Sequence, residues 1–208
     1  MSIYSPLEEK INIYSHAFGV VISTFALVFL IFKGIETHNN LALISYTIFG
    51  LALIHLYMAS TKYHSAIDPE RRFKLKILDH SAIYVLIAGS YTPYALITLG
   101  GTDGWILFGV TWAMAIVGIV LKFFFTGRFK LLSTLMYVFM GWMVVFFAKS
   151  LLAALSVKGF YWLMAGGISY TLGAVIYSIK RIKFNHAIFH VFVLGGSFCH
   201  FISIYRFI

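Results

Sequence analysis

Three pairs of side chains in this chain carry polar chemistry inside otherwise apolar sequence. Ser60 and His64 close one apolar stretch as STKYH, Asp79 and His80 open another, and His186 and His190 open a third as NHAIFH. The members of the first and last pair are four residues apart, so on a helix they share a face about 6 Å apart along the axis. A His-x3-His pair is a common source of two metal ligands. His64, His186 and His190 as neutral imidazoles supply three nitrogens and leave a fourth tetrahedral position for water, the ligand count of a catalytic metal. Histidine with carboxylate favours zinc over calcium or magnesium and leaves iron and manganese open. Asp79 is suited to accept a hydrogen bond from that water, and Ser60, one turn from His64, to donate to a developing oxyanion. A His-x3-His pair alone has many false positives, so a helix-packing role for these imidazoles stays open at this point.

The chain has 8 histidines against 7 acidic residues. His55 lies nine residues before His64, about 13.5 Å deeper on a helix and half a turn round. His200 lies ten residues past His190, about 15 Å away along the axis. Both are read as helix–helix hydrogen-bonding residues. His38 falls in a loop. His80 points about 100° away from Asp79 and is read as structural or supporting. His16 accompanies Glu9, Asn12 and Ser15, a set read as polar support for the site.

The elements that must position these groups are membrane helices. Of the 208 residues, 61% are hydrophobic and 11% charged, with a mean hydropathy of +0.89. That composition excludes disorder, a coiled coil, a secreted disulfide scaffold and an ordinary cytosolic enzyme. About 20 apolar residues span a bilayer. Seven stretches qualify: 12–32, 41–63, 77–99, 104–125, 131–152, 159–179 and 185–207. Short connections leave no soluble domain, so 1–208 reads as a single transmembrane domain. The opening MSIYSPLEEK has Glu8 and Glu9 where a signal peptide has basic residues, so the first helix is expected to stay. The single cysteine, Cys199, excludes an intrachain disulfide.

Lys and Arg distribution sets the orientation. One side carries Lys10, Lys62, Arg71, Arg72, Lys74, Lys76, Lys122, Arg128, Lys130, Lys180, Arg181 and Lys183; the other carries Lys33, Lys149, Lys158 and Arg206. The expectation is an all-α polytopic membrane protein, a seven-transmembrane helix bundle with N-terminus cytoplasmic and C-terminus outside, in the plasma (bacterial inner) membrane. This asymmetry accounts for the formal charge of +9 without nucleic acid. It also brings Ser60, His64, Asp79, His80, His186, His190 and the polar start of helix one into one layer beneath the cytoplasmic surface. Ionisable groups at membrane depth are functional candidates by default. Pro93 cannot donate to the Gly89 carbonyl and predicts a kink in helix three. Gly166, Gly167, Ser169 and Gly173 in helix six, with Gly195 and Gly196 in helix seven, predict close helix contact.

Taken in order, E-x-x-N-x-x-S-H from Glu9, S-x3-H from Ser60, D-H at Asp79 and H-x3-H from His186 resemble the hemolysin III family, within the wider group of progestin and adiponectin-type receptors and alkaline ceramidases. The runs DHSAIYVLIAGSYTP, MGWMVV and NHAIFHVFVLGGSFCHF are similar to its bacterial branch. The resemblance covers nearly the whole chain. It implies seven helices with N-terminus inside and a zinc ion near the cytoplasmic face held by His64, His186 and His190, with Asp79 and Ser60 beside its water. It does not settle activity, because relatives include lipid amidases while the bacterial branch is named for red-cell lysis and linked to membrane lipid homeostasis. No counterpart of the receptors' large N-terminal domain is present, which argues against hormone-type signalling.

Three functions are expected in order. The first is a zinc-dependent hydrolase of lipid amides or esters, taking substrate from the inner leaflet, with Asp79 as general base. The second is a non-enzymatic sensor or homeostasis factor with structural zinc. The third is a cytolysin acting through pores, which seven spans disfavour for a water-soluble toxin. A retinal protein needs a lysine in helix seven, and 185–207 has none. A rhodopsin-like receptor has the opposite orientation. A di-haem cytochrome accounts less well for Asp79 and Ser60.

Overall fold

The computed structural model describes residues 4–208; residues 1–3, which open the stretch read as uncleaved, and the side chain of Lys130 lie outside the described residues. The first four crossings are α1 (Pro6–Glu36), α2 (Asn40–Ser65), α3 (Pro69–Pro93), whose span continues as a π-helical turn over Tyr94–Leu99, and α4 (Gly101–Phe125). The fifth crossing is broken into α5 (Lys130–Gly141), a 3-10 turn (Met143–Phe147) and α6 (Ala148–Ala154). The sixth is α7 (Val157–Ser178) and the seventh α8 (Asn185–Phe207). Among the described residues, seven segments are long and apolar enough to cross a membrane. Their outward faces carry Phe18, Phe25, Phe32, Phe124 and Phe146, all exposed. Such a girdle is unfavourable in water and suited to acyl chains. The protein is a multi-pass integral membrane protein.

Helix ends extend beyond the apolar runs because polar caps start them. The Ser5 hydroxyl accepts from the Glu8 N–H at 3.2 Å, with Pro6 following as a first-turn residue. Asn39 caps α2 and Asp68, followed by Pro69, caps α3. α1 therefore begins at Pro6 rather than near 12, which places Glu9 in its first turn. α3 begins at Pro69 rather than near 77, which makes Arg72 helical. Up-and-down alternation puts the Lys- and Arg-rich segments at one end of the bundle, called the basic end below. At the opposite end, the Lys33 ammonium donates to the Ile204 carbonyl at 3.1 Å and the Tyr205 carbonyl at 2.5 Å. A cation there satisfies the last acceptors of α8 and matches its dipole.

Two interruptions shape the interior. Beyond Pro93 the chain follows a π-helical turn where a kink is predicted, and the Thr92 hydroxyl accepts from the Trp112 indole at 3.1 Å. The break in the fifth crossing departs from the continuous helix expected over 131–152. A single hydroxyl bridges it: Tyr91 donates to the Gly141 carbonyl at 2.6 Å and accepts from the Val144 N–H at 3.0 Å. The Trp142 indole also donates to Thr171 at 2.9 Å. α7 and α8 pack closely, as their small residues predict. A Cβ at Gly166 would run into the His200 ring, and one at Gly196 would sit 2.9 Å from the Tyr170 ring. Gly167 departs from this pattern: it faces the interior cavity, with only the Trp142 ring near 4 Å.

Candidate metal centre

α2 delivers His64 from its last turn, and α8 delivers His186 and His190 in its first two turns. The three imidazoles meet, all buried. His64 Nε2 lies 3.0 Å from His186 Nε2, and His190 Nε2 lies 3.1 Å from the same atom. One nitrogen from each ring falls within 4.8 Å of the others. Two nitrogens bound to one zinc at 2.0–2.1 Å stand about 3.3 Å apart across a tetrahedral angle, so the two spacings to His186 Nε2 are within a few tenths of an ångström of that value.

The far sides of two rings fix their tautomers. His64 Nδ1 lies 2.7 Å from Glu9 Oε2, a pure acceptor when ionised, so Nδ1 carries the proton and Nε2 is left bare. The other Glu9 oxygen accepts from the Arg72 guanidinium. Arg72 also donates to the Ala66 carbonyl at 3.0 Å and lies over the Tyr63 ring at 4.8 Å. His190 Nδ1 lies 3.1 Å from the Ser15 hydroxyl, whose own proton goes to the Asn12 carbonyl at 3.1 Å. That hydroxyl is left to accept from the ring, so His190 also carries its proton on Nδ1 and leaves Nε2 bare. Two lone pairs therefore converge on His186 Nε2, whose single proton could satisfy one of them. Buried acceptors facing one another without a donor are costly. A cation bound by all three removes the conflict, so the donor set fits a metal and the Glu9–His64 pair is the usual carboxylate support for a ligating imidazole.

The rest of the site faces a cavity of about 660 Å³ that opens at the basic end and is lined by Ser60, Asp79, His186 and His190 among others. Ser60 on α2 and Asp79 on α3 line this wall together, and both Ser60 and His64 lie close enough to act on the Asp79 carboxyl. Asp79 and Ser60 thus stand beside the histidines without taking part in the cluster of converging nitrogens. Tyr4, just before α1, stacks on His186 with ring centroids 4.8 Å apart, and burial pushes its phenol above the ordinary value. Tyr4 is thereby a neutral cover over one ligand.

The remaining histidines divide as follows. His16 stacks flat on His190, centroids 3.5 Å apart and planes 7° apart, with neither ring nitrogen hydrogen-bonded. His80 turns from the cluster and donates from Nδ1 to the Lys76 carbonyl at 2.7 Å. His38 is exposed with a φ of 52°. His55 does not bridge helices as expected: it is exposed on the outer face of α2. His200 is buried between α7 and α8 against the Tyr94 and Tyr170 rings, with Leu163 of α7 within reach of its ring, and it also lines the cavity. Two residues that the sequence marks only as charges orienting the chain have further contacts. Arg72 holds Glu9, and Lys122 lines the cavity while only 6% exposed. For Lys122 the available signal was its position three residues inside an apolar helix end.

Seven apolar helices enclosing three converging histidines define a class of integral membrane protein with a metal-competent centre near one face. Within that class the chain belongs to the haemolysin-III-related family, whose profile matches residues 4–201. It is 47% identical over 197 residues to the Hemolysin-3 homolog of Bacillus subtilis (strain 168), covering 95% of this chain and 92% of that protein. It is 45% identical over 190 residues to Hemolysin-3 of Bacillus cereus, covering 91% of this chain and 87% of that protein. More distantly, it is 27% identical over 209 residues to the Monocyte to macrophage differentiation factor of Homo sapiens, covering 97% of this chain and 84% of that protein.

Proposed function

We propose that this protein is a membrane-embedded, zinc-dependent hydrolase of lipid amide or ester bonds that acts on lipids of the membrane in which it sits. The observation that carries this reading is the pairing of two different groups on one cavity wall. Three bare or nearly bare imidazole nitrogens converge, and an Asp79–Ser60 pair stands beside them. A structural metal needs only the first of these. His64, His186 and His190 would hold the ion; bound there, it supplies an acidified water and polarises a carbonyl. Asp79 takes the proton at a carboxylate oxygen and returns it to the leaving group. Once Asp79 holds the proton, the neighbouring Ser60 hydroxyl is free to donate to the developing oxyanion. Arg72 and Glu9 keep the His64 ring in place, and the apolar cavity walls hold the acyl chain and exclude water.

A second reading, a sensor or homeostasis factor with structural zinc, is favoured by one observation: the ligands come from α2 and α8, so a metal there ties two helices together. The names of the bacterial relatives suggest lysis. Nothing about a seven-span chain supports release as a soluble pore-former, so lysis is read as a consequence of altered lipids. The test is elemental analysis of the purified protein together with turnover of a broad panel of ceramide-like and acyl lipids. Zinc at one equivalent with hydrolysis lost in Asp79→Asn is the expected result. Zinc-replete wild-type protein that hydrolyses nothing in the panel, with stability that depends on the metal, would establish the structural reading instead.

A further inference from the structure

Lys122 is the feature that the proposed chemistry does not use. It lies in the last turn of α4, where Phe123 and Phe124 face outward at 66% and 72% exposure, yet Lys122 itself is 6% exposed and turned inward. Its ammonium donates to the Ser133 hydroxyl at 2.7 Å and lies 5.3 Å from the centre of the Tyr137 ring. Both partners are neutral, and among the described residues no carboxylate pairs with it. A cation removed from water is costly unless an opposite charge meets it. The positive-inside rule explains exposed loop cations such as Arg71 and Lys74; it does not explain a lysine turned away from solvent.

The surroundings of Lys122 indicate what that opposite charge would be. Lys76, Arg128, Lys180 and Lys183 line the same cavity mouth, against two carboxylates, Glu8 and Asp79. The excess is positive, so a cationic or zwitterionic ligand gains less there than an anion does. Below the mouth the walls turn apolar, through Leu56, Ile87, Leu163, Phe189 and Val193. The volume of about 660 Å³ lies in the usual range for ligand sites. A cationic rim continuous with an apolar shaft matches an acidic amphiphile rather than a free anion.

We propose that this cavity binds an anionic phospholipid, with its phosphodiester at Lys122 and the neighbouring cations and an acyl chain in the shaft. The headgroup then lies beside Asp79 and the three histidines, which brings the ester linkages just below the phosphate toward them. This assigns a substrate class to the hydrolase reading and rests on that reading for turnover, but not for binding.

The test is equilibrium binding to the purified full-length protein in neutral detergent, with phosphatidylglycerol, phosphatidylcholine and inorganic phosphate as separate probes, at low and high salt. Phosphatidylglycerol is expected to bind more tightly than phosphatidylcholine and to weaken with salt. Lys122→Gln should weaken phosphatidylglycerol on the order of fivefold, the effect of one charge near an anionic surface, leave phosphatidylcholine unchanged, and be rescued by Lys122→Arg. Should Lys122→Gln fail to fold, the exposed pair Arg128→Gln and Lys183→Gln carries the same expectation in weaker form. Equal binding of the two lipids, or full affinity after loss of these cations, overturns the proposal. So does inorganic phosphate binding as tightly as the lipid, which would mark a free-anion site. Asp79→Asn protein should bind phosphatidylglycerol at least as well as wild type. Zinc-replete wild-type protein that binds phosphatidylglycerol without hydrolysing it refutes the enzyme and keeps the lipid site, whereas hydrolysis of neutral lipids alone refutes the lipid site and keeps the enzyme.

Discussion

At the scale of single residues, the site is an arrangement of proton positions. Glu9 and the Ser15 hydroxyl hold protons on the far nitrogens of His64 and His190, which leaves their near nitrogens bare and able to bind a cation. Removing a ligand as His190→Ala should abolish stoichiometric metal, measured by elemental analysis of purified protein. Glu9→Gln should leave the fold intact and weaken metal affinity about 10- to 100-fold in a competition assay with a chelator, because the amide no longer orients or polarises His64. Asp79→Asn should keep the metal and lower turnover by about 10²- to 10⁴-fold, the range for loss of a general base. Retained metal with full turnover would remove Asp79 from the reaction. The Ser60–His64 and His186–His190 pairs were legible from sequence because i, i+4 spacing puts side chains on one helix face whatever the helix packs against. Arg72 was not, since its role depends on α3 starting at Pro69, below the reach of any apolar window.

At the scale of elements, the informative places are where regular structure stops. The fifth crossing reads as one apolar helix, and apolarity cannot report a change of helical winding. Its break is held by the Tyr91 hydroxyl, which serves one carbonyl and one N–H across the turn. Tyr91→Phe should cost about 1–3 kcal/mol by leaving both buried groups without that partner, measured as a lower unfolding midpoint. An unchanged midpoint would show that the backbone groups find other partners. The glycines of the last two crossings were legible as packing residues, with one exception. Gly166 admits His200, so Gly166→Ala should destabilise by about 1–3 kcal/mol through overpacking. Gly167 borders the cavity, and the same change there should be nearly silent.

At the scale of the whole molecule, seven crossings alternate and gather the basic segments at one end, where the cavity opens beside the histidines. A cysteine placed at Ile67, which is 96% exposed between α2 and α3, should react with an impermeant thiol reagent only after cells are opened. Labelling in intact cells would reverse the orientation derived from Lys and Arg. Membrane class, the number of crossings and their order can be read from the chain alone. They follow from apolar length, helix rise and charge asymmetry, all local or additive properties of the chain. Which polar groups share a space depends on the packed bundle. Three nitrogens from α2 and α8 converge because those helices pack across α1, Glu9 and Arg72 join them because caps lengthen α1 and α3, and Lys122 faces a cavity because of the rotation of α4. Distances between helices and rotations about their axes come from side-chain packing between segments far apart in sequence, and no spacing within one segment encodes them.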